Sequence, residues 1–191
     1  LVAAIASVGS QESSSDGSPV NAWKTVSLPG AFYLKYRSYE KDDSLGGTGK
    51  CVSIQLSEKD DTARTTKSKL TYGNPETSAL IEKTVCVKVP RSDGSTNGDI
   101  IQMSNTESCD AATTQVQFVY SDYGTCDVTV VLGTDGSSPK CELWVSEDAV
   151  DSEENANINK CKSEYKKQCP DQQEYPIYEK TTCGSVSKGP E

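Results

Sequence analysis

The chain has 191 residues, a formal net charge of −9, eight cysteines and no histidine. Without an imidazole it has no Ser-His-Asp or Cys-His nucleophilic site, no histidine ligand for zinc or haem, and no ordinary general base near neutral pH. The acidic balance leaves no basic footprint for nucleic acid and disfavours anionic membrane surfaces.

The length suits one domain. An even cysteine count with no C-x-x-C pair reads as a disulfide framework from an oxidising compartment rather than a metal site. Residues 1–10 (LVAAIASVGS) are small and apolar, and the stretch after them is polar and serine-rich. This pattern reads as a residual signal-peptide segment, 1–10, followed by a flexible leader, 11–20. The apolar run is too short to span a bilayer.

Residues 19–23 form a candidate helical turn. FYLKYRSY, 32–39, is aromatic-rich and reads as a strand. Gly46, Gly47 and Gly49 mark a loop. In 51–57, Val52, Ile54 and Leu56 alternate with Ser53, Gln55 and Ser57, the pattern of a half-buried strand. A threonine-rich stretch, 62–72, ends at the turn Gly73-Asn74-Pro75. In 80–89, Val85, Val87 and Val89 share one face, and Glu82, Thr84, Cys86 and Lys88 share the other. That second face either lines a polar cavity or faces water.

After a loop at 92–98, further strands are predicted at 99–104, 113–120, 126–132 and 140–145. The one at 113–120 sets Val116, Phe118 and Tyr120 together, and 133–137 is a turn. In CELWV, 141–145, Glu142 and Trp144 stand two apart, so an acid and an indole share a face. Residue chemistry alone leaves two readings open: a site, or a wet Glu142 beside a core Trp144. The pattern then changes at 153–168, which lacks glycine and proline and carries Ile158, Cys161 and Tyr165 at helical spacing. Ser152 is its expected cap and Pro170 its end. Residues 175–178 add a short extended segment. About eight closely spaced strands followed by one helix favour a closed antiparallel barrel or a sandwich, and an eight-stranded barrel has room for one small ligand.

The ordered set Ala22-Trp23, FYLKYRSYEKDD, Cys51 at a strand start, CDV at 126–128, GTDG at 133–136, CELWV, and a helix bearing Cys161, Tyr165 and Cys169 resembles the tick histamine-binding lipocalin family. The resemblance runs from about Asn21 to Cys183; Ala22-Trp23 stands where lipocalins at large carry G-x-W. It implies an all-β fold, an eight-stranded antiparallel lipocalin barrel with a C-terminal α-helix packed on its wall, occupying 21–191. It implies the disulfides Cys51–Cys183 and Cys126–Cys161. The remaining cysteines are paired here as Cys141–Cys169 and Cys86–Cys109, a choice among the 105 pairings that eight cysteines allow.

For ligand chemistry, the resemblance implies a secreted salivary carrier, not an enzyme, that sequesters histamine or serotonin with carboxylates on the ammonium and rings around the guest. The positions matching amine-binding relatives are Tyr39, Asp42, Glu82 and Asp127, with Glu142 and Trp144. Four positions depart from the pattern: Leu45 replaces a tryptophan, Thr114 and Val116 replace an aromatic and an acid, and Ser27 replaces an acid. Tyr33, Tyr36, Phe118 and Tyr120 are candidate replacement rings. The chief competing ligand is a lipid: a fatty acid, a leukotriene or a sterol. A third reading makes the loops 41–50 and 90–98 a docking surface for a host protein such as a complement component. No metal or cofactor is expected.

Overall fold

The computed structural model describes residues 17–91, 98–111, 113–133 and 138–184. The expectations for 1–10, for most of the leader, for 92–97 and for 134–137 lie outside these residues. A short helix α1 (Ala22–Val26) is followed by β1 (Ala31–Arg37), β2 (Ser53–Asp60), β3 (Thr65–Gly73), β4 (Leu80–Lys88) and β5 (Ile100–Ser104). Then come β6 (Thr113–Ser121), β7 (Cys126–Val131), β8 (Lys140–Ser146), α2 (Ala156–Gln168), β9 (Tyr175–Pro176) and a one-turn α3 (Lys180–Cys183). Strands β1 to β8 pair antiparallel in chain order, and β1 pairs with both β8 and β2, which closes the barrel. The short β9 adds to β1 outside that circuit.

Three bulges break the period-two alternation. Lys35 in β1, Ser57 in β2 and Val119 in β6 are each an extra residue opposite a continuous partner strand. The first has the largest effect. Leu34 pairs with Trp144, Tyr36 with Leu143 and Arg37 with Glu142. Tyr36 therefore turns outward beneath α2, where its ring meets Tyr165 edge-on at 4.9 Å, and Arg37 turns inward. The bulge at Val119 separates Tyr120 from Val116 and Phe118, contrary to the sequence expectation. Tyr120 joins the outer cluster under α2, and the other two face the barrel interior.

The helix α2 begins later than expected. Asn155, not Ser152, is its cap: the Asn155 side chain accepts from the amides of Asn157 and Ile158 while its own backbone is extended. Ile158, Cys161 and Tyr165 form the predicted buried stripe. The stripe packs on Cys126, Val128, Cys141, Leu143 and Val145 of β7 and β8. Two disulfides, Cys126–Cys161 and Cys141–Cys169, fasten this layer. Cys51–Cys183 ties the tail to the entry of β2, and Cys86–Cys109 ties β4 to the segment after β5.

Inside the barrel, apolar residues gather in two places. At one end, Trp23 and Ala22 of α1 pack with Val87, Val89, Ile101, Val116 and Phe118. Val20, assigned by sequence to the leader, is buried in the same cluster. Toward the other end, Leu34, Leu45, Val52, Leu70 and Val85 fill the section bounded by β1 to β4. The space left against β7 and β8 is the hollow described next.

Candidate functional site

The hollow and its open mouth together hold about 870 Å³ of non-atom space, bulk solvent at the mouth included. β7 and β8 supply its polar wall. The inward residues of CDVTVV are Asp127, Thr129 and Val131, and those of CELWV are Glu142 and Trp144. Asp127 pairs with Trp144 and Thr129 with Glu142, so the two acids sit diagonally across adjacent strands with the indole beside both. The loop after β1 brings Asp42 and Leu45 to the same space. Most of the remaining wall is hydrocarbon, including Phe32, Ile54, Leu56, Val87, Met103 and Phe118.

Glu142 is 3 % exposed and accepts three hydrogen bonds. Its donors are the Tyr39 hydroxyl, Thr129 Oγ1 at 2.8 Å and Trp144 Nε1 at 3.0 Å. Burial pushes its pKa up, the hydrogen bond from Tyr39 opposes that, and the nearby Asp42 charge pushes it further up. The Tyr39 hydroxyl also lies 2.9 Å from Asp42 Oδ2. That hydroxyl has one proton and two carboxyl groups to serve. One of the two oxygens it faces, Glu142 Oε1 or Asp42 Oδ2, therefore lacks a donor until a proton or an ammonium arrives. Burial, then the Glu142 and Asp42 charges, hold the Tyr39 phenol far above its ordinary value.

Asp42 also organises its own loop. Its Oδ1 accepts from the amides of Ser44 at 2.8 Å and Leu45 at 3.2 Å. Asp127 is 6 % exposed, and its Oδ1 has no hydrogen-bond partner among the described residues. Burial lifts its pKa to about 7; a hydrogen bond with Ser121 opposes this and the Asp122 charge adds to it. The Val119 bulge is what places Ser121 opposite Asp127.

Five of the six predicted ligand residues therefore gather at the hollow: Asp42, Asp127, Glu142 and Trp144 line it, and Tyr39 stands behind Asp42 and Glu142. Glu82 does not join them. It lies on the outer face of β4, its side chain 58 % exposed and 3.6 Å from Lys69. The even-numbered face of β4 is the wet one. Of the proposed replacement rings, Phe118 lines the hollow, whereas Tyr33, Tyr36 and Tyr120 belong to the cluster outside the barrel wall. The departures at Leu45, Thr114 and Val116 all fall on the lining, so apolar and hydroxyl groups stand where rings and an acid were expected. Thr129 was missed by sequence reasoning, although its place two residues after Asp127 in an alternating strand puts it on the same face.

No helix among the described residues is long and apolar enough to cross a membrane. Four disulfides and no free cysteine among them fit an oxidising compartment.

A family model described as tick histamine binding protein matches residues 10–185. None of the curated protein sequences matches. Among solved structures the chain is similar to AM182, solved as a serotonin complex. The identity is 24 %, over 87 % of this chain and 94 % of that one, with a TM-score of 0.61. It is also similar to Japanin from Rhipicephalus appendiculatus, bound to cholesterol: 15 % identity, 85 % and 99 % covered, TM-score 0.52. Insecticyanin from the tobacco hornworm Manduca sexta shares 8 % identity over 86 % of each chain, with a TM-score of 0.61. At these identities the structures share the barrel fold.

Proposed function

The chain belongs to the tick histamine-binding protein family, and from that premise we propose that it sequesters a small biogenic amine, histamine or serotonin, by stoichiometric trapping. The observation that carries this reading is the charge of the lining: among the described residues it has three carboxyl groups, Asp42, Asp127 and Glu142, and no lysine or arginine. A cation entering the hollow supplies the donor that the Tyr39 trio lacks and meets the unpaired oxygen of Asp127. In a water-poor space these charge-assisted hydrogen bonds are stronger than at a surface. Trp144 and Phe118 offer ring faces to an aromatic guest. Four disulfides hold the walls in place, which lowers the ordering cost of capture. The protein acts outside the cell, in saliva, as a carrier that lowers free mediator at a bite rather than as an enzyme. The structure solved with serotonin, similar over most of both chains, supports an amine of that kind.

Titration calorimetry with histamine and serotonin tests this directly. A one-to-one or two-to-one isotherm with either is expected; no heat and no thermal shift with both would end the reading. A second reading, a lipid guest, draws on the hydrocarbon that makes up the rest of the wall and on the similar structure bound to cholesterol. Native mass spectrometry of the purified protein distinguishes it by a co-purified fatty or sterol mass.

A further inference from the structure

Arg37 is the largest fully buried side chain among the described residues, at 0 % exposure. Burying a guanidinium is costly unless its hydrogen bonds are met. No ion pair involves it among the described residues. Its partners are instead backbone carbonyls of a single loop: Nε donates to Tyr39 O at 3.0 Å, and Nη2 donates to Glu40 O at 2.9 Å and to Gly47 O at 2.8 Å, while Nη1 has no hydrogen-bond partner among the described residues. The guanidinium also lies 5.1 Å from the centre of the Tyr39 ring, which Lys140 approaches at 5.3 Å.

The same loop holds Tyr39 and Asp42, and its ends are pinned together. Asp42 N donates to Gly47 O at 3.0 Å, and Gly47 N donates to Asp42 O at 2.6 Å. Gly47 O is thus shared between the loop's own bridge and Arg37. At Gly46 the chain takes a φ of +84° and passes so close to the Tyr72 ring that a Cβ there would collide with it. The loop therefore has two seats, one on Tyr72 and one on the guanidinium.

We infer that Arg37 is the positioning residue of the amine site: by clamping the carbonyls of Tyr39, Glu40 and Gly47 it fixes the loop that presents Tyr39 and Asp42 to Glu142. This inference rests on the amine-trap reading for its consequence but not for its geometry. Lysine at this position keeps the charge yet lacks the planar fork that reaches carbonyls on both sides of the loop. Methionine keeps most of the volume, removes the donor from the Tyr39 and Glu40 carbonyls, and leaves Gly47 O with the Asp42 amide alone.

Two measurements test it on the full disulfide-bonded protein. Hydrogen exchange at the amides of Asp42, Leu45 and Gly47 probes the clamp without any guest. In Arg37→Lys it accelerates at least about tenfold, the scale set by losing one charge-assisted hydrogen bond. Unchanged exchange overturns the clamp, whatever the guest. Calorimetry with serotonin and histamine probes the consequence. A loop displaced about nine-tenths of the time weakens capture about tenfold. Arg37→Met therefore binds about tenfold more weakly, with Arg37→Lys in between. Asp42→Asn weakens the wild type but adds little to Arg37→Met, because the loop no longer presents that acid. Fully additive losses, or an Arg37→Lys that binds as wild type, overturn the positioning role. A wild type that binds neither amine defeats the amine reading alone, and the exchange measurement still decides the clamp. If Arg37→Met does not fold, Arg37→Lys carries both measurements.

Discussion

Replacing Glu142 by glutamine removes one charge and almost no volume, so its effect on capture can be worked from the site. In the wild type the carboxyl accepts from Tyr39, Thr129 and Trp144, three donors around two oxygens. Glutamine has one oxygen to accept and an amide nitrogen that can only donate. With that oxygen on Thr129 and Trp144, the nitrogen faces the Tyr39 hydroxyl, which accepts from it and gives its own proton to Asp42. An ammonium guest loses a charge-assisted hydrogen bond worth about 1.5–3 kcal/mol. At 1.4 kcal/mol per tenfold, its Kd rises about 10- to 100-fold. The lower part of that range is expected, because burial disfavours the charged form of Glu142. The substitution also relieves the burial of an ionisable group, which opposes the weaker hydrogen bonds of a neutral acceptor, so Tm moves by only a few degrees. Calorimetry with serotonin, with Glu82→Gln on the outer wall as the matched control, measures both changes. Glu82→Gln stays within about twofold of wild type, as an exposed surface charge should. A Glu142→Gln protein that binds as tightly as the control would refute the argument.

Capture of an alkylammonium guest, which stays charged throughout, weakens as pH falls through about 7, because Asp127 takes up a proton there and a neutral acid holds a cation less well. The slope of log Kd against pH between 5 and 8 checks this, and a flat profile rejects it. The stability linkage has the opposite sign. The folded Asp127 binds a proton that the unfolded chain releases near 3.8, so its contribution to stability is lost as pH rises through about 7. Asp127→Asn should therefore raise Tm above pH 7 and change it little below pH 4; an equal shift at both pH values contradicts the assignment. Lys83 donates at 3.2 Å to the carbonyl of Ser44, a residue of the lining, and the Asp42 charge acts on it. Lys83→Met tightens amine capture about two- to fivefold, the scale of a partly screened charge pair; an unchanged or weaker Kd counts against it. Replacing Cys51 and Cys183 by serine opens a loop of 132 residues, which in the chain-entropy account costs about 5 kcal/mol. Denaturant melting reads that loss, and a change under about 1 kcal/mol would show that the tail is held mainly by packing.

The legible part of the site is what a strict two-residue period can carry. CELWV put Glu142 and Trp144 on one face, and the valines of 80–89 lie opposite Glu82, as alternation requires. The stripe Ile158, Cys161, Tyr165 was readable at helical spacing and is buried as such. Tyr39, Asp42 and Asp127 came from family likeness; nothing in their immediate neighbours sets them apart from strand-end and loop acids. Glu82 came from the same source and lies outside, which alternation had left open between a polar cavity and water. Unbroken alternation from Leu34 would put Arg37 on the opposite face; the extra residue at Lys35 brings it inward.

Taken alone, the amino-acid sequence determined the class of the molecule: many short alternating strands, one amphipathic helix, an even set of cysteines, and no imidazole chemistry. Tertiary structure decided which way several side chains point. An extra residue at Lys35 and another at Val119 invert the inside and outside of everything beyond them on those strands. These bulges bring Arg37 under the loop of Asp42 and Ser121 against Asp127, and they send Tyr36 and Tyr120 out beneath the helix. A bulge is a property of the pairing between two strands, so it has no signature in either strand read by itself.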